Sequence, residues 1–295
     1  MKILITGSKG QLGSELCKCL SSGKTEIGEL RDKIKNPDVT AVDIDELDIA
    51  DFKAVDSLIS GGKFDVVINC AAFTDVNGCE TRQDEAFRGN ALGPRNLAIS
   101  CEKNNAKLIH ISTDYVFPGE GEVPYREYDP CGPQSVYGKT KYLGEQYVRE
   151  FCSRYFIVRT SWLYGYNGNN FVHTMKRLGE TKSEISVVND QRGNPTNAAD
   201  LAHHVLALAA TEEYGIYHCT GKGECSWYEF ACKIMELYGL KCRVNPCTTE
   251  EYPTPAKRPA FSSLDNMMLR LTIGDKMRDW QDALEYFIKK ESEKA

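Results

Sequence analysis

The 295-residue chain predicts an α/β fold: a doubly wound parallel sheet over residues 1–160, with a smaller mixed α/β part over residues 161–295. Three observations carry that expectation. Short apolar runs alternate with amphipathic stretches through the first 160 residues, the βαβ rhythm of buried parallel strands covered by helices. The first run opens straight into a glycine-rich turn and a helix pattern. After about residue 160 the rhythm breaks, with irregular stretches at 164–170 and 190–197 and prolines at 246, 253, 255 and 259.

Taken in order, the runs at 2–6, 39–43, 65–69, 107–112 and 155–159 read as strands, each short, apolar and bounded by polar or turn residues. Between them, 11–20 places Leu12, Leu16, Cys19 and Leu20 on one helix face, and 86–104 and 135–151 are long enough for further helices. The pattern at 199–210 reads as a helix that can return from the second part to pack on the first. The last fifteen or so residues read as a helix with a charged, frayed tail.

Net charge is −6, from 36 Lys+Arg against 42 Asp+Glu, with no basic block or basic-aromatic stripe, which argues against a nucleic-acid partner. The opening MKILITGSKG enters a strand without the apolar length of a signal peptide or membrane span. A soluble, cytoplasmic protein is expected. Twelve cysteines, spread from Cys17 to Cys247, form neither a dense framework nor CxxC pairs at zinc spacing. They read as small buried hydrophobes in a reducing compartment, with no metal site.

The turn is Gly7-Ser8-Lys9-Gly10-Gln11-Leu12-Gly13. A GxxGxxG run between a strand and a helix is a dinucleotide-binding fingerprint. Its glycines permit the bend and let the backbone approach a pyrophosphate, and the helix N-terminus offers N–H donors. Gly7, Gly10, Gln11, Leu12 and Gly13 are therefore cofactor candidates, and the sheet is expected to be Rossmann-like. Asp43 closes the second strand, where a carboxylate bonds the adenosine ribose and repels a 2′-phosphate, which leans towards NADH. It follows Gly13 by thirty residues instead of the usual ~20, because 21–38 carries an insertion. Lys9 can meet a phosphate, so NADPH stays open. Asp48 and Ile49 fall beside the adenine. Ala71, Ala72 and Phe73, after a run counted as the fourth strand of the usual order, and Ile111, in the fifth, lie over the cofactor.

A nicotinamide-dependent reductase needs a proton donor, a group that makes the donor acidic enough, and a polar group on the carbonyl. Tyr137 and Lys141 stand four apart on a predicted helix and share a face; a nearby ammonium lowers a phenol pKa from its ordinary ~10. Lys141 can also hold the nicotinamide ribose. Thr113 lies at the carboxyl edge of the sheet, where ligands bind, with a hydroxyl suited to a substrate carbonyl. A second YxxxK spacing, Tyr286 and Lys290, is remote from any cofactor strand and reads as packing or surface. Arg192 and the Lys257-Arg258 pair are candidates for a substrate diphosphate.

The segments GSKGQLG, NCAAFTDV, STDYVF, VYGKTKYLGE, RTSWLYG, DQRGNPT and KRPAFSSLD span nearly the whole chain. In content and order the chain resembles the dTDP-4-dehydrorhamnose reductase family of extended short-chain dehydrogenases. The resemblance implies Tyr137 as proton donor, Lys141 as its partner and Thr113 as third catalytic hydroxyl. It implies Thr113, Asp114 and Trp162 as sugar contacts, and NADPH or NADH as hydride source for C4 of a 4-keto nucleotide sugar. A homodimer is compatible with it. Some relatives are described with a Mg²⁺ held by glutamates; Glu15 matches one ligand, and one residue does not carry a site. Two departures stand out: Asn77-Gly78 where relatives commonly have an Asp-Lys pair, and the insertion at 21–38.

Three rival readings follow. A dehydratase on this fold resembles STDEVYG after the fifth strand; this chain has Asp114-Tyr115 and lacks the second carboxylate. An epimerase uses the same tyrosine and lysine with a retained cofactor and stays open. A silent regulatory subunit would be free to lose its acid, whereas Thr113, Tyr137 and Lys141 are all present.

Overall fold

The structure, a computed structural model, describes residues 1–293. The last two residues of the expected charged tail lie outside the described residues. Six parallel strands form the main sheet: β1 (Lys2–Thr6), β2 (Asp38–Val42), β3 (Val66–Asn69), β4 (Lys107–Thr113), β5 (Tyr155–Thr160) and β6 (Gly215–His218). Their order is β6-β5-β4-β3-β1-β2.

Period-two alternation divides each strand between two buried faces. Ile3, Ile5, Val66, Ile68, Ile109, Phe156 and Val158 enter one core, under helix α1 (Gln11–Ser22). Leu4, Val67, Leu108 and Ile157 enter the other, under α2 (Phe52–Gly62), α3 (Gly93–Lys103) and α4 (Val136–Phe151). Both faces are therefore apolar and helix-covered, as the near-continuous hydrophobic runs required.

The structure corrects two expectations here, one in the sheet and one in a helix. The run at 66–69 is the third strand, not the fourth. After β2 the Asp43 carbonyl accepts the N–H groups of Glu46 and Leu47 in tight turns, and the Asp51 carboxylate caps α2 by accepting from the N–H groups of Lys53 and Ala54. No extended stretch is left between them, so β2 is the sheet edge. Strand order then reverses between β1 and β3, the switch point where such sheets bind ligands. The single helix expected over 86–104 is broken: Gln83–Phe87 is α-helical, Arg88–Leu92 is a π-helical turn, and α3 begins at Gly93.

Beyond β5, the helices α5 (Phe171–Thr181), α7 (Trp227–Tyr238) and α8 (Trp280–Ser292) pack together, while the intervening α6 (Ala198–Ala209) and the short helix Met267–Leu271 lie apart from them. A core of Tyr164, Val172, Met175, Phe230, Ile234, Trp280, Leu284 and Phe287 joins the three. Short strand pairs accompany them: 184–188 with 243–247, 192–193 with 225–226 and 163–164 with 196–197. Helix α6 instead packs its Leu201, Ala202 and Val205 into the core over α1. The returning segment is longer than the sequence suggested, since β6 also pairs with β5.

The insertion folds as a small hairpin, 24–25 against 28–29. It braces distant segments: Thr25 Oγ1 lies 2.8 Å from His203 Nδ1, and Glu26 takes bonds from Tyr166 at 3.0 Å and Arg278 at 3.4 Å. All twelve cysteines are free thiols. Among the described residues, no helix is long and apolar enough to cross a membrane.

Candidate active site

The glycine turn sits at the switch point. Gly7 has φ +68°, and a Cβ there would lie 2.7 Å from the Ala71 nitrogen. At Gly13 a Cβ would lie 2.2 Å from the Gly7 carbonyl oxygen, so strand, turn and helix close only around bare glycines. Gly10 differs: a Cβ would meet only the Gly7 oxygen, at 3.3 Å, and the residue is exposed. Its missing side chain leaves room outside the protein, where a pyrophosphate would approach. Gly10 also ends α1 without a capping side chain, which leaves the first-turn N–H groups to an anion. Leu12 is buried in the sheet core and has only its backbone to offer. Gln11 Oε1 is buried without a hydrogen-bond partner, an orphaned acceptor beside the cradle that suits a polar ligand.

At the adenosine end, the Asp43 carboxylate accepts the backbone N–H of Lys9 at 2.8 Å and of Ile44 at 2.8 Å. The Lys9 ammonium is paired with Asp45 and, at 3.5 Å, with Glu46. Asp48 is bonded by Arg88 at 2.9 Å, and Ile49 is buried under α3, where a Cβ on Gly93 would strike its side chain. Ala71, Ala72 and Phe73 leave β3 half-buried. Asn90, on the inward turn of the π-helix, accepts the Phe73 N–H at 2.9 Å and donates to its carbonyl at 3.1 Å and to Thr140 at 3.2 Å. That residue was missed in the sequence. The available signal was a mid-helix Asn between Gly89 and Gly93, and such π-turns gather at functional sites.

The structure brings Thr113, Tyr137 and Lys141 together at the end of β4 and the first turns of α4. Ser135 caps that helix by accepting the Gly138 N–H at 3.1 Å. Gly138 lets it lie against the loop after β4, where a Cβ would come within 2.3 Å of the Tyr115 carbonyl oxygen. Burial pushes the Tyr137 phenol above its ordinary pKa, and a hydrogen bond with Thr113 opposes the rise. This differs from the expected depression by Lys141: the Lys141 ammonium instead donates to the Ile111 carbonyl at 2.6 Å. Burial draws Lys141 itself down to about 8, against the pull of Glu145. Ile111 thus holds the lysine in place.

Thr113 donates to Asp114 Oδ1 at 2.9 Å. Asp114 is buried, its Oδ2 has no hydrogen-bond partner, and burial raises its pKa to about 6. Ser262 stands close enough to oppose that rise, although its own Oγ completes no hydrogen bond. Tyr115, also missed, packs edge-on to Tyr137 with ring centroids 5.4 Å apart, and its hydroxyl accepts from Arg258 at 3.3 Å.

Trp162 adopts φ +47°, a left-handed conformation that costs a bulky residue energy and persists only where packing holds it. The clamp is visible: its indole stacks on Trp227, centroids 3.6 Å apart and 8° from parallel. A Cβ on Gly193 would meet the ring at 2.7 Å. Arg258 lines both a cavity of about 580 Å³, with Asn77, Phe171, Trp227 and Tyr252, and a smaller one of about 190 Å³ with Tyr115, Ser135 and Lys257. Arg192 is less available, since Glu224 at 3.2 Å and Glu229 at 3.3 Å already hold its guanidinium. At Gly78, one of the departures, a Cβ would meet the exposed Asp75–Arg82 ion pair at 2.2 Å, a contact those flexible side chains can yield to. Glu15 pairs with Lys18 at 2.7 Å, and no cluster of three or more His, Cys, Asp or Glu among the described residues is arranged to hold a metal.

A glycine cradle at the switch point, with a tyrosine, lysine and threonine at the carboxyl edge beside it, defines a nicotinamide-dependent oxidoreductase of the extended short-chain dehydrogenase type. The RmlD substrate binding domain family matches residues 1–293, and the chain belongs to it. It is 49% identical to a dTDP-4-dehydrorhamnose reductase of Clostridium acetobutylicum whose crystal structure superposes with a TM-score of 0.92, covering 98% of this chain and 99% of that one. A dTDP-4-dehydrorhamnose reductase of Bacillus anthracis, solved in complex with NADP, is 42% identical with a TM-score of 0.91, covering 98% and 99%. The spore coat polysaccharide biosynthesis protein SpsK of Bacillus subtilis is 43% identical, covering 99% of this chain and 98% of its own.

Proposed function

We propose that the chain is an NADPH- or NADH-dependent reductase that converts dTDP-4-dehydro-L-rhamnose to dTDP-L-rhamnose in the cytoplasm. The observation that carries this reading is the placement of Thr113, Tyr137 and Lys141 beside the glycine cradle. When bound, the nicotinamide cofactor supplies the hydride. The turn from Gly7 to Gly13 and the α1 N-terminus hold its pyrophosphate, Asp43 its adenosine ribose, and Lys141 its other ribose. Tyr137, with the Thr113 hydroxyl once it turns from Asp114 to the sugar, holds the C4 carbonyl, and Tyr137 gives its proton to the oxygen as C4 is reduced. A resting phenol must keep that proton, and burial ensures that it does. Asp114 and Trp162 contact the sugar, and Arg258, at the border of the two cavities, meets the diphosphate.

Oxidation of NADPH and NADH, followed by absorbance on adding dTDP-4-dehydro-6-deoxy-L-mannose, tests this directly. Turnover is expected in the wild type and not in Tyr137→Phe, with cofactor binding kept in both. Cofactor that stays bound through purification, without net oxidation, would overturn the reductase in favour of an epimerase.

A further inference from the structure

Lys141 and Glu145 stand one turn apart on α4, and both grip β4. Lys141 Nζ donates to the Ile111 carbonyl at 2.6 Å, and Ser112, the next residue, donates its hydroxyl to Glu145 Oε1 at 2.5 Å. The residue after that is Thr113. Glu145 is in turn held from β5 by Arg159, Nε at 2.9 Å from Oε1 and Nη2 at 2.7 Å from Oε2. The two side chains are 1% and 2% exposed. Arg159 has no other carboxylate partner among the described residues; it touches the Glu127 carbonyl, the Cys131 sulfur and the face of Phe117. His218 beside it is held neutral, its pKa drawn down to about 3 by burial and by the guanidinium.

A buried ion pair of this kind is a weak source of stability, since well-packed apolar side chains of similar volume serve a core as well or better. An apolar pair could not put a carboxylate one turn from the lysine, nor bind α4, β4 and β5 together where the reacting groups project. Resting on the function proposed above, we propose that Glu145 is a positioning residue that holds Lys141 as an ammonium and in register with Thr113.

The groups facing Lys141 support that assignment. Cys70, from the loop after β3, is kept a neutral thiol by burial, and His110, from β4, is kept a neutral imidazole. Glu145 remains as the anion that favours the charged lysine, while burial alone lowers Lys141. The sign follows. The ammonium is present below the Lys141 pKa and lost as pH rises through it, and removing the carboxylate charge moves that loss to lower pH.

The test compares wild type, Glu145→Gln and Glu145→Gln/Arg159→Gln, reading kcat/KM against pH and NADPH affinity against pH by fluorescence. The double variant is included because the single one leaves Arg159 uncompensated in the core and can fail to fold. The expected result is an alkaline fall in activity that begins about one pH unit earlier, with a roughly fivefold loss at the pH where the wild type is half-active and a smaller loss in acid. Loss by the same factor at every pH in the folded double variant, with the alkaline fall unmoved, would overturn the inference. A wild type that reduces no 4-keto sugar nucleotide would sink the proposed function instead. The NADPH titration would still decide Glu145: an earlier alkaline weakening supports it, and an unmoved profile overturns it.

Discussion

The chemical centre on β4 and α4 and the region around Trp162, Arg192 and Arg258 are built on different principles. In the centre, the reacting groups hang from β4 and α4, and hydrogen bonds tie that helix to that strand, Lys141 to Ile111 and Ser112 to Glu145, while Thr113 bonds the next residue, Asp114. The second region is assembled from loops and two-residue strands. There a tryptophan is clamped in a strained conformation and the arginines are shared with other partners. Sequence spacing alone therefore reports on the first region, while the second is decided by which charges happen to be neutralised.

The comparison is broken most severely by Tyr137→Phe. A lost general acid costs about 10²–10⁴-fold in turnover, and kcat should fall while NADPH affinity stays; an equal loss in affinity would mean that the tyrosine serves binding. Next in size, Gly13→Ala forces a methyl to within 2.2 Å of the Gly7 carbonyl, so a loss of about 1–3 kcal/mol is expected, seen as a lower Tm together with weaker cofactor binding.

Asp114 gives a gain. Its folded pKa, about 6, lies above the unfolded value of about 3.9, so its contribution favours folding below pH ~4 and is lost as pH rises through ~6. Asp114→Asn should thus unfold at higher temperature than wild type at pH 7.5, by about 2–3 kcal/mol, with the difference vanishing near pH 4. A gain that persists in acid would trace the effect to packing instead. The smallest effects separate the two arginines. Arg258→Ala should raise KM about 10–100-fold, the worth of a charge-assisted bond. Arg192→Ala, half-exposed and already paired with two glutamates, should change KM no more than a few-fold. A reversal of that ranking would place the diphosphate on the Arg192 side.

The strands and the glycine turn were legible because buried parallel strands and φ-demanding turns leave local marks, the alternation of Ile3, Leu4 and Ile5 and the bare Gly7 and Gly13. Tyr137, Lys141 and Thr113 were legible by position after a strand. Three things were not. The missing strand between β2 and β3 depends on turns at Asp43 and the cap at Asp51, too short to read against a fold-wide expectation. The supports Asn90, Glu145 and Arg159 act across elements, and only their final packing shows that they meet. The upward shift of Tyr137 depends on burial and on the lysine choosing a carbonyl over the phenol, which spacing on a helix does not reveal.

The return of α6 and β6 to the first sheet has a consequence for how the chain is made. As the polypeptide leaves the ribosome, β5 is finished at Thr160, yet its outer edge and the apolar surface of α1 stay uncovered until Ala198–Ala209 and Gly215–His218 emerge. For that interval the nascent sheet offers a free parallel edge, the kind of surface that invites mispairing. Translation speed between the codons for Thr160 and His218 should therefore influence the soluble yield more than an equal slowing anywhere downstream.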